Sequence, residues 1–163
     1  MNAGALVLDA DESDLDGVRR LLHDYASSLP FELDFQDFDR ELAALPGAYA
    51  PPLGALLVAR LSGEVVGCVA LRPLGGTTCD LKRLFVAAPA RGTGLGRRLA
   101  EAALDRADRL GYRRVLLDTT PGMEAAQALY RELGFRETEP YTHNPVPGAR
   151  FLELELRDRG SSV

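Results

Sequence analysis

Cysteine, histidine and lysine are scarce in this chain. Two cysteines, Cys68 and Cys79, and two histidines, His23 and His143, lie at no metal-ligand spacing, so no metal centre is expected. So few thiols exclude a disulfide scaffold and fit a reduced, cytoplasmic setting. Lysine occurs once, as Lys82, and no Gly-x-x-x-x-Gly-Lys-Ser/Thr pattern exists, which disfavours a nucleotide-dependent kinase. No apolar run nears the roughly 20 residues of a membrane span. The opening MNAGALVLDADESD is acidic and lacks the charged and apolar regions of a secretory leader. A net charge of −5 argues against a general nucleic-acid binder, although Arg91, Arg97 and Arg98 form a local basic patch. No repeat or linker divides the 163 residues, which suit one domain with one sizeable core.

What is present is a strand that runs through a glycine-rich turn into a helix. Leu81 to Val86 reads as the strand and Ala87 to Ala90 as a connector. Arg91-Gly92-Thr93-Gly94-Leu95-Gly96 forms the turn, and Arg97 to Leu110 is a helix with Leu99, Ala103, Ala107 and Leu110 at helical spacing. The first N–H groups of a helix lack partners and favour negative charge, so this junction is a candidate anion site. Glycines remove the Cβ atoms that would hold a phosphate away from those groups. A dinucleotide fingerprint fails, because Arg97 and Leu99 stand where its third glycine belongs.

The remaining elements follow in order. Ala5 to Leu8 is a short strand. A helix starts near Asp11 to Asp16, with Ser13 and Asp16 spaced as a capping box. Leu15, Val18, Leu21, Leu22 and Tyr25 mark one face of that helix, and Gly17 weakens it. From Ser27 to Leu45, Phe31, Phe35, Phe38 and Leu42 keep helical spacing among Glu32, Asp34, Asp37 and Asp39. That segment reads either as an amphipathic helix with a solvated acidic face or as a lid over a cationic substrate. Ala55 to Leu61 and Val65 to Leu71 form a hairpin, and a turn from Arg72 to Thr77 leads into the central strand. Val115 to Asp118 is an apolar strand suited to a buried parallel neighbour. A helix over Met123 to Leu133, a strand from Phe135, a proline-rich excursion over Glu139 to Gly148 and a strand over Phe151 to Leu156 complete the domain, 1–156, and 157–163 is expected to fray. The order is an α/β sandwich with a mixed sheet.

The turn has the form Arg-x-x-Gly-x-Gly after a strand ending Leu-Phe-Val. Ala126, Tyr130 and Gly134-Phe135 add an Ala-x-x-x-Tyr-x-x-x-Gly-Phe ending. Together these motifs resemble the GCN5-related N-acetyltransferase (GNAT) family, with matching residues spread over Asp80 to Phe135. The resemblance implies an α/β/α sandwich around a central mixed, mostly antiparallel sheet splayed in the middle, with acetyl-CoA as cosubstrate. It implies an acetyl transfer to a primary amine of a small molecule or amino-acid-like acceptor. An acyl-CoA-binding sensor module without turnover, or a protein N-acetyltransferase, is the alternative. The late strands are a candidate surface for a homodimer.

Acetyl-CoA has parts that these residues suit. The amides of Gly92, Thr93, Gly94, Leu95, Gly96 and Arg97 suit its diphosphate, and Arg91, Arg97 or Arg98 suits the phosphate charge. Arg97 and Arg98 read equally as helix surface. The backbone of Leu84, Phe85 and Val86 can pair with the pantetheine amides like an added strand. The resemblance implies a bulge that aims the Leu84 N–H at the thioester carbonyl. It also implies Tyr130 as proton donor to the leaving thiolate, Ala126 in the cofactor wall and an acidic general base at Asp80. Asp80 reads equally as a strand-end carboxylate paired with Lys82 or an arginine, and His143 is the alternative base. Where the family often has asparagine this chain has Met123, so the contact passes to backbone groups of Thr119 or Thr120.

Overall fold

Alternate residues of the central strands enter two different cores, one on each face of a sheet. In the computed structural model, which describes residues 4–29 and 35–159 without the side chains of residues 35 and 36, Val69 and Leu71 join one apolar cluster while Cys68 and Ala70 join the other. The strands are β1 (Leu6–Asp9), β2 (Ala55–Leu61), β3 (Glu64–Gly75), β4 (Thr78–Val86), β5 (Arg114–Thr119), β6 (Arg136–Glu137) and β7 (Arg150–Glu155). They form one sheet in the order β1-β2-β3-β4-β5-β7-β6. Every neighbouring pair is antiparallel except β4 with β5, which is parallel.

The helices are α1 (Leu15–Ser28), α2 (Phe35–Ala43), α3 (Leu95–Arg109) and α4 (Glu124–Glu132). The spacing of Leu95, Leu99, Ala103 and Ala107 gives α3 one apolar stripe, which with Tyr130 of α4 covers one face of the sheet. Val18, Leu21, Leu22 and Ala26 of α1, with Phe38 and Leu42 of α2, cover the other. The mixed, mostly antiparallel sandwich expected from the sequence is therefore present. None of the described helices is long and apolar enough to cross a membrane.

One local expectation is corrected. The capping box is not Ser13 with Asp16. Asp11 accepts from the Ser13 amide at 2.8 Å and Asp14 from the Asp11 amide at 2.9 Å, capping a 3-10 turn over Glu12–Asp14 that precedes α1. Gly17 is demanded by packing: a Cβ there would come within 2.9 Å of Val65 Cγ2. Past β7 the chain makes a further 3-10 turn, Leu156–Asp158, and Arg159 pairs with Asp105 at 2.8 Å.

Two irregularities shape the centre of the sheet. β4 and β5 are paired only at Thr78, Cys79 and Asp80, and past the Asp80–Leu116 pair the two strands part. In the β3–β4 ladder Cys68 faces Phe85 and Ala70 faces Lys82, so Val69 stands opposite both Arg83 and Leu84. That is a β-bulge, in the strand where the resemblance calls for one.

Candidate active site

The glycine-rich turn delivers α3 with its first amides bare. Gly94 is the N-cap, its φ of 81° in the left-handed region that glycine enters freely, and no side chain among the described residues caps the helix. Most helices place acidic residues in the first turn to complement the dipole. The first turn of α3 has no acidic residue and carries Arg97. Gly96 has no conformational need to be glycine. A Cβ added to it would meet nothing of the protein nearer than Val86 Cγ2, at 3.9 Å, an ordinary contact.

This turn opens onto a cleft of about 570 Å³ formed where β4 and β5 part. Leu84, Phe85 and Val86 form one wall, the turn from Arg91 to Gly96 one end, and Pro121 to Ala126 with Leu129 the opposite wall. Tyr25 and Ser28 of α1 and the following Leu29 also line it. Arg91 stands at the mouth, where its Nε donates to the Val86 carbonyl at 2.9 Å and its guanidinium lies 5.1 Å from the Phe85 ring centroid.

With this geometry in view, the sequence model of the acetyltransferase (GNAT) family matches residues 17–135. The chain belongs to that family. It is an acetyl-CoA-dependent N-acetyltransferase. An uncharacterised N-acetyltransferase of Schizosaccharomyces pombe is 41% identical over 145 residues, 88% of this chain and 89% of that one. The N-acetylaspartate synthetase of Danio rerio is 37% identical over 120 residues, 71% of this chain and 42% of its own length. A Salmonella typhimurium acetyltransferase solved with its cofactor acetyl-CoA shares the fold with a TM-score of 0.73 at 18% identity, covering 97% of each chain.

Of the candidate coenzyme contacts in this GNAT domain, Leu84, Phe85, Val86, Arg91, Gly92, Gly94, Leu95, Gly96 and Ala126 line the cleft. Thr93, Arg97, Arg98, Thr119 and Tyr130 do not. Thr93 turns its hydroxyl to the Ala90 carbonyl at 2.7 Å. Arg98 donates to the Ala5 carbonyl at 3.0 Å, and Arg97 pairs with Glu101 and Glu132, so both are engaged as helix surface. Thr119 Oγ1 lies 3.8 Å from Met123 Sδ, so the residue in the asparagine position meets the threonine expected to replace its contact. Thr120 Oγ1 is the buried side-chain polar atom among the described residues that has no hydrogen-bond partner.

Tyr130 is buried, its ring edge-on to Phe135 at 5.7 Å. Burial, reinforced by Tyr25 and Asp118, pushes its phenol well above the ordinary value, so it stays protonated. Asp80 is wholly buried and bound to Arg72, whose Nη2 donates at 2.7 Å and Nε at 3.3 Å. The Tyr141 hydroxyl donates to the same carboxylate at 3.4 Å. The partner of Asp80 is thus an arginine; Lys82 instead approaches Asp118 at 3.7 Å. His143 is exposed, while its neighbour Asn144 donates to Asp118 at 2.9 Å. Both cysteine thiols are pushed up to about 12 by burial and remain neutral.

The sequence did not point to Arg83 and Glu41. Arg83 has a φ of 62°, a conformation that costs a residue with a Cβ on the order of 1–2 kcal/mol. Its guanidinium donates from Nε and Nη2 to Glu41 of α2 at 2.8 and 2.9 Å and lies 5.0 Å from the Phe38 ring centroid. Burial works against the Glu41 carboxylate, but the Arg83 bonds and charge, with the Tyr49 hydroxyl at 2.9 Å, hold it below its usual value. So the acidic helix read as a lid spends this carboxylate on the protein's own arginine, and Asp37 lies 3.7 Å from Arg40. Phe31, Glu32 and Asp34 lie outside the described residues.

Proposed function

We propose that the protein moves the acetyl group of acetyl-CoA directly to the primary amine of a small, amino-acid-like acceptor. The observation that carries this reading is the bare first turn of α3 together with Gly96, a glycine that no neighbouring protein atom requires. It leaves room for a diphosphate against the amides of Gly94 to Arg97, with Arg91 at the mouth to meet its charge. The free edge of Leu84 to Val86 suits the amides of the pantetheine arm.

Acetyl-CoA, when bound, supplies an acetyl group on a thioester. The Leu84 N–H, set by the bulge, is the donor for the carbonyl oxygen as it gains charge. Tyr130, kept protonated by burial behind the residues that line the cleft, is the candidate proton source for the departing sulfur. Asp80 is sealed from solvent, so the amine proton reaches it through a group in contact with it, and Tyr141 is that group. The relative named for N-acetylaspartate supports an acceptor with a carboxylate beside the amine. Two free, buried cysteines suit the cytoplasm.

Thiol release from acetyl-CoA, read over a panel of amino acids, alkylamines and short peptides, tests the reading. Release with amino acids above the other classes is the expected result. CoA binding with no release for any amine would instead make the chain a sensor module.

A further inference from the structure

The bulge in β4 has an unusual occupant. The left-handed position of such a bulge suits glycine, yet here it holds Arg83, a long side chain with its φ at 62°. Strain of this kind persists only where surrounding contacts impose it. Three contacts do so. Glu41 grips the guanidinium at two nitrogens, 2.8 and 2.9 Å away. Phe38 faces its plane at 5.0 Å. The Cys68 thiol donates to the Arg83 carbonyl at 3.2 Å, the peptide unit that continues into Leu84.

Glu41 is itself held. Tyr49 donates its hydroxyl to it at 2.9 Å, and α2 is tied to α1 by Arg19 Nε donating to the Leu42 carbonyl at 2.8 Å. The residue next to the clamped one is Leu84, whose amide is the proposed oxyanion donor. A donor of that kind works only if its direction is fixed before reaction, and a displacement near 1 Å can cost on the order of 100-fold in rate.

We propose that Glu41 and Arg83 are positioning residues: their fork locks the bulge and thereby aims the Leu84 amide, making transfer depend on the seating of α2. This rests on the direct-transfer reading above. The side chain at 83 is required because glycine permits the bulge without enforcing it. Lysine cannot replace it, because a point charge does not make a planar two-pronged contact.

The test compares wild type with Glu41→Gln, Arg83→Gly, Arg83→Lys, the Glu41→Gln/Arg83→Gly pair and Tyr49→Phe. Tyr49→Phe keeps the ring and only loosens Glu41, so it serves if the others do not fold. Three quantities are read: kcat by thiol release, Kd for CoA by calorimetry, and amide exchange at Leu84 by NMR on the free protein. Glu41→Gln, Arg83→Gly and Arg83→Lys should each lower kcat about 10- to 100-fold and speed Leu84 exchange at least 10-fold. Exchange at Val115 to Leu117 and the Kd for CoA should stay within about twofold. Tyr49→Phe should show a kcat loss of about 3- to 10-fold, and the paired variant should lose no more than Arg83→Gly alone. A folded Glu41→Gln or Tyr49→Phe with unchanged kcat and unchanged Leu84 exchange overturns the proposal, as does full activity in Arg83→Gly. If wild type binds CoA but releases no thiol with any amine, the transfer reading falls. Leu84 exchange then still decides whether the fork fixes the bulge.

Discussion

Replacing Gly96 by alanine should move stability and binding in opposite directions. Gly96 is the second residue of α3, and its new methyl would have one neighbour, Val86 Cγ2 at 3.9 Å. A helical glycine replaced by alanine without a clash stabilises the fold by about 0.5–1 kcal/mol. For a chain of this size that is a rise in Tm of about 1–4 °C. The same methyl would stand between the first-turn amides and an approaching diphosphate. Losing one hydrogen bond to a charged oxygen, with some displacement of a second, costs about 2–3 kcal/mol. The Kd for CoA should therefore rise roughly 30- to 150-fold. Scanning calorimetry and titration calorimetry on the same sample read both quantities. A Kd within threefold of wild type would refute the assignment of this turn to the coenzyme. A fall in Tm of several degrees would refute it differently, by showing that the fold itself requires the glycine.

Tyr130→Phe keeps the ring against Phe135 and removes only the hydroxyl. Its kcat should fall at least about 10-fold with CoA affinity unchanged, and equal turnover would assign Tyr130 to packing alone. Asp80→Asn and Tyr141→Phe should both lower kcat at least about 10-fold with CoA affinity unchanged. Asp80→Asn should also lose about 2–4 kcal/mol in urea unfolding, because Arg72 is left without its buried partner. Unaltered turnover in both variants would move the proton acceptor elsewhere. Glu41 and Asp14 are both held below their usual values, Glu41 against the pull of burial and Asp14 chiefly by its bond to Arg60. The unfolded chain therefore takes up protons first, so their stabilisation is intact above the ordinary carboxylate range and is lost as pH falls through the lower folded values. Urea midpoints should be flat from about pH 7 to 5 and drop below about pH 4.5; midpoints that hold to pH 3 would mean that neither pair matters.

What could be read from the sequence was local. The run from Leu81 to Gly96 carries strand, turn and helix signals within one short window, and the structure keeps that order, although α3 starts at Leu95, two residues before the expected Arg97. Pairings across long separations were not legible. Glu41 and Arg83 lie 42 residues apart, and no local pattern distinguishes Arg83 from the other arginines. Arg97 and Arg98 looked equally suited to phosphate and to helix surface, and only the packed structure shows Glu132 and the Ala5 carbonyl within their reach. The capping box slipped because DADESDLD offers several acidic acceptors, and spacing alone does not choose among them. One signal did exist for the bulge. Leu81 and Leu84 both pack on the α3 side although they are three apart, a parity that a regular strand cannot keep.

That parity break also accounts for the cleft. A bulge bends its strand and raises the local twist, and here it follows closely on Asp80, the last residue of β4 paired with β5. Beyond it, β4 keeps its ladder with β3 at Phe85 and Val86 but has no strand among the described residues on the other side. An edge of this kind normally invites another extended chain. Two features restrict what can add to it. The opposite wall, from Pro121 to Leu129, leaves a slot rather than an open flank, and the bare turn of α3 closes one end with amides that favour an anion. An extended molecule with amides along its length and phosphate at one end satisfies both. The divergence of two strands thus sets the shape of the cleft, and the arginine at the bulge ties one of its walls to α2.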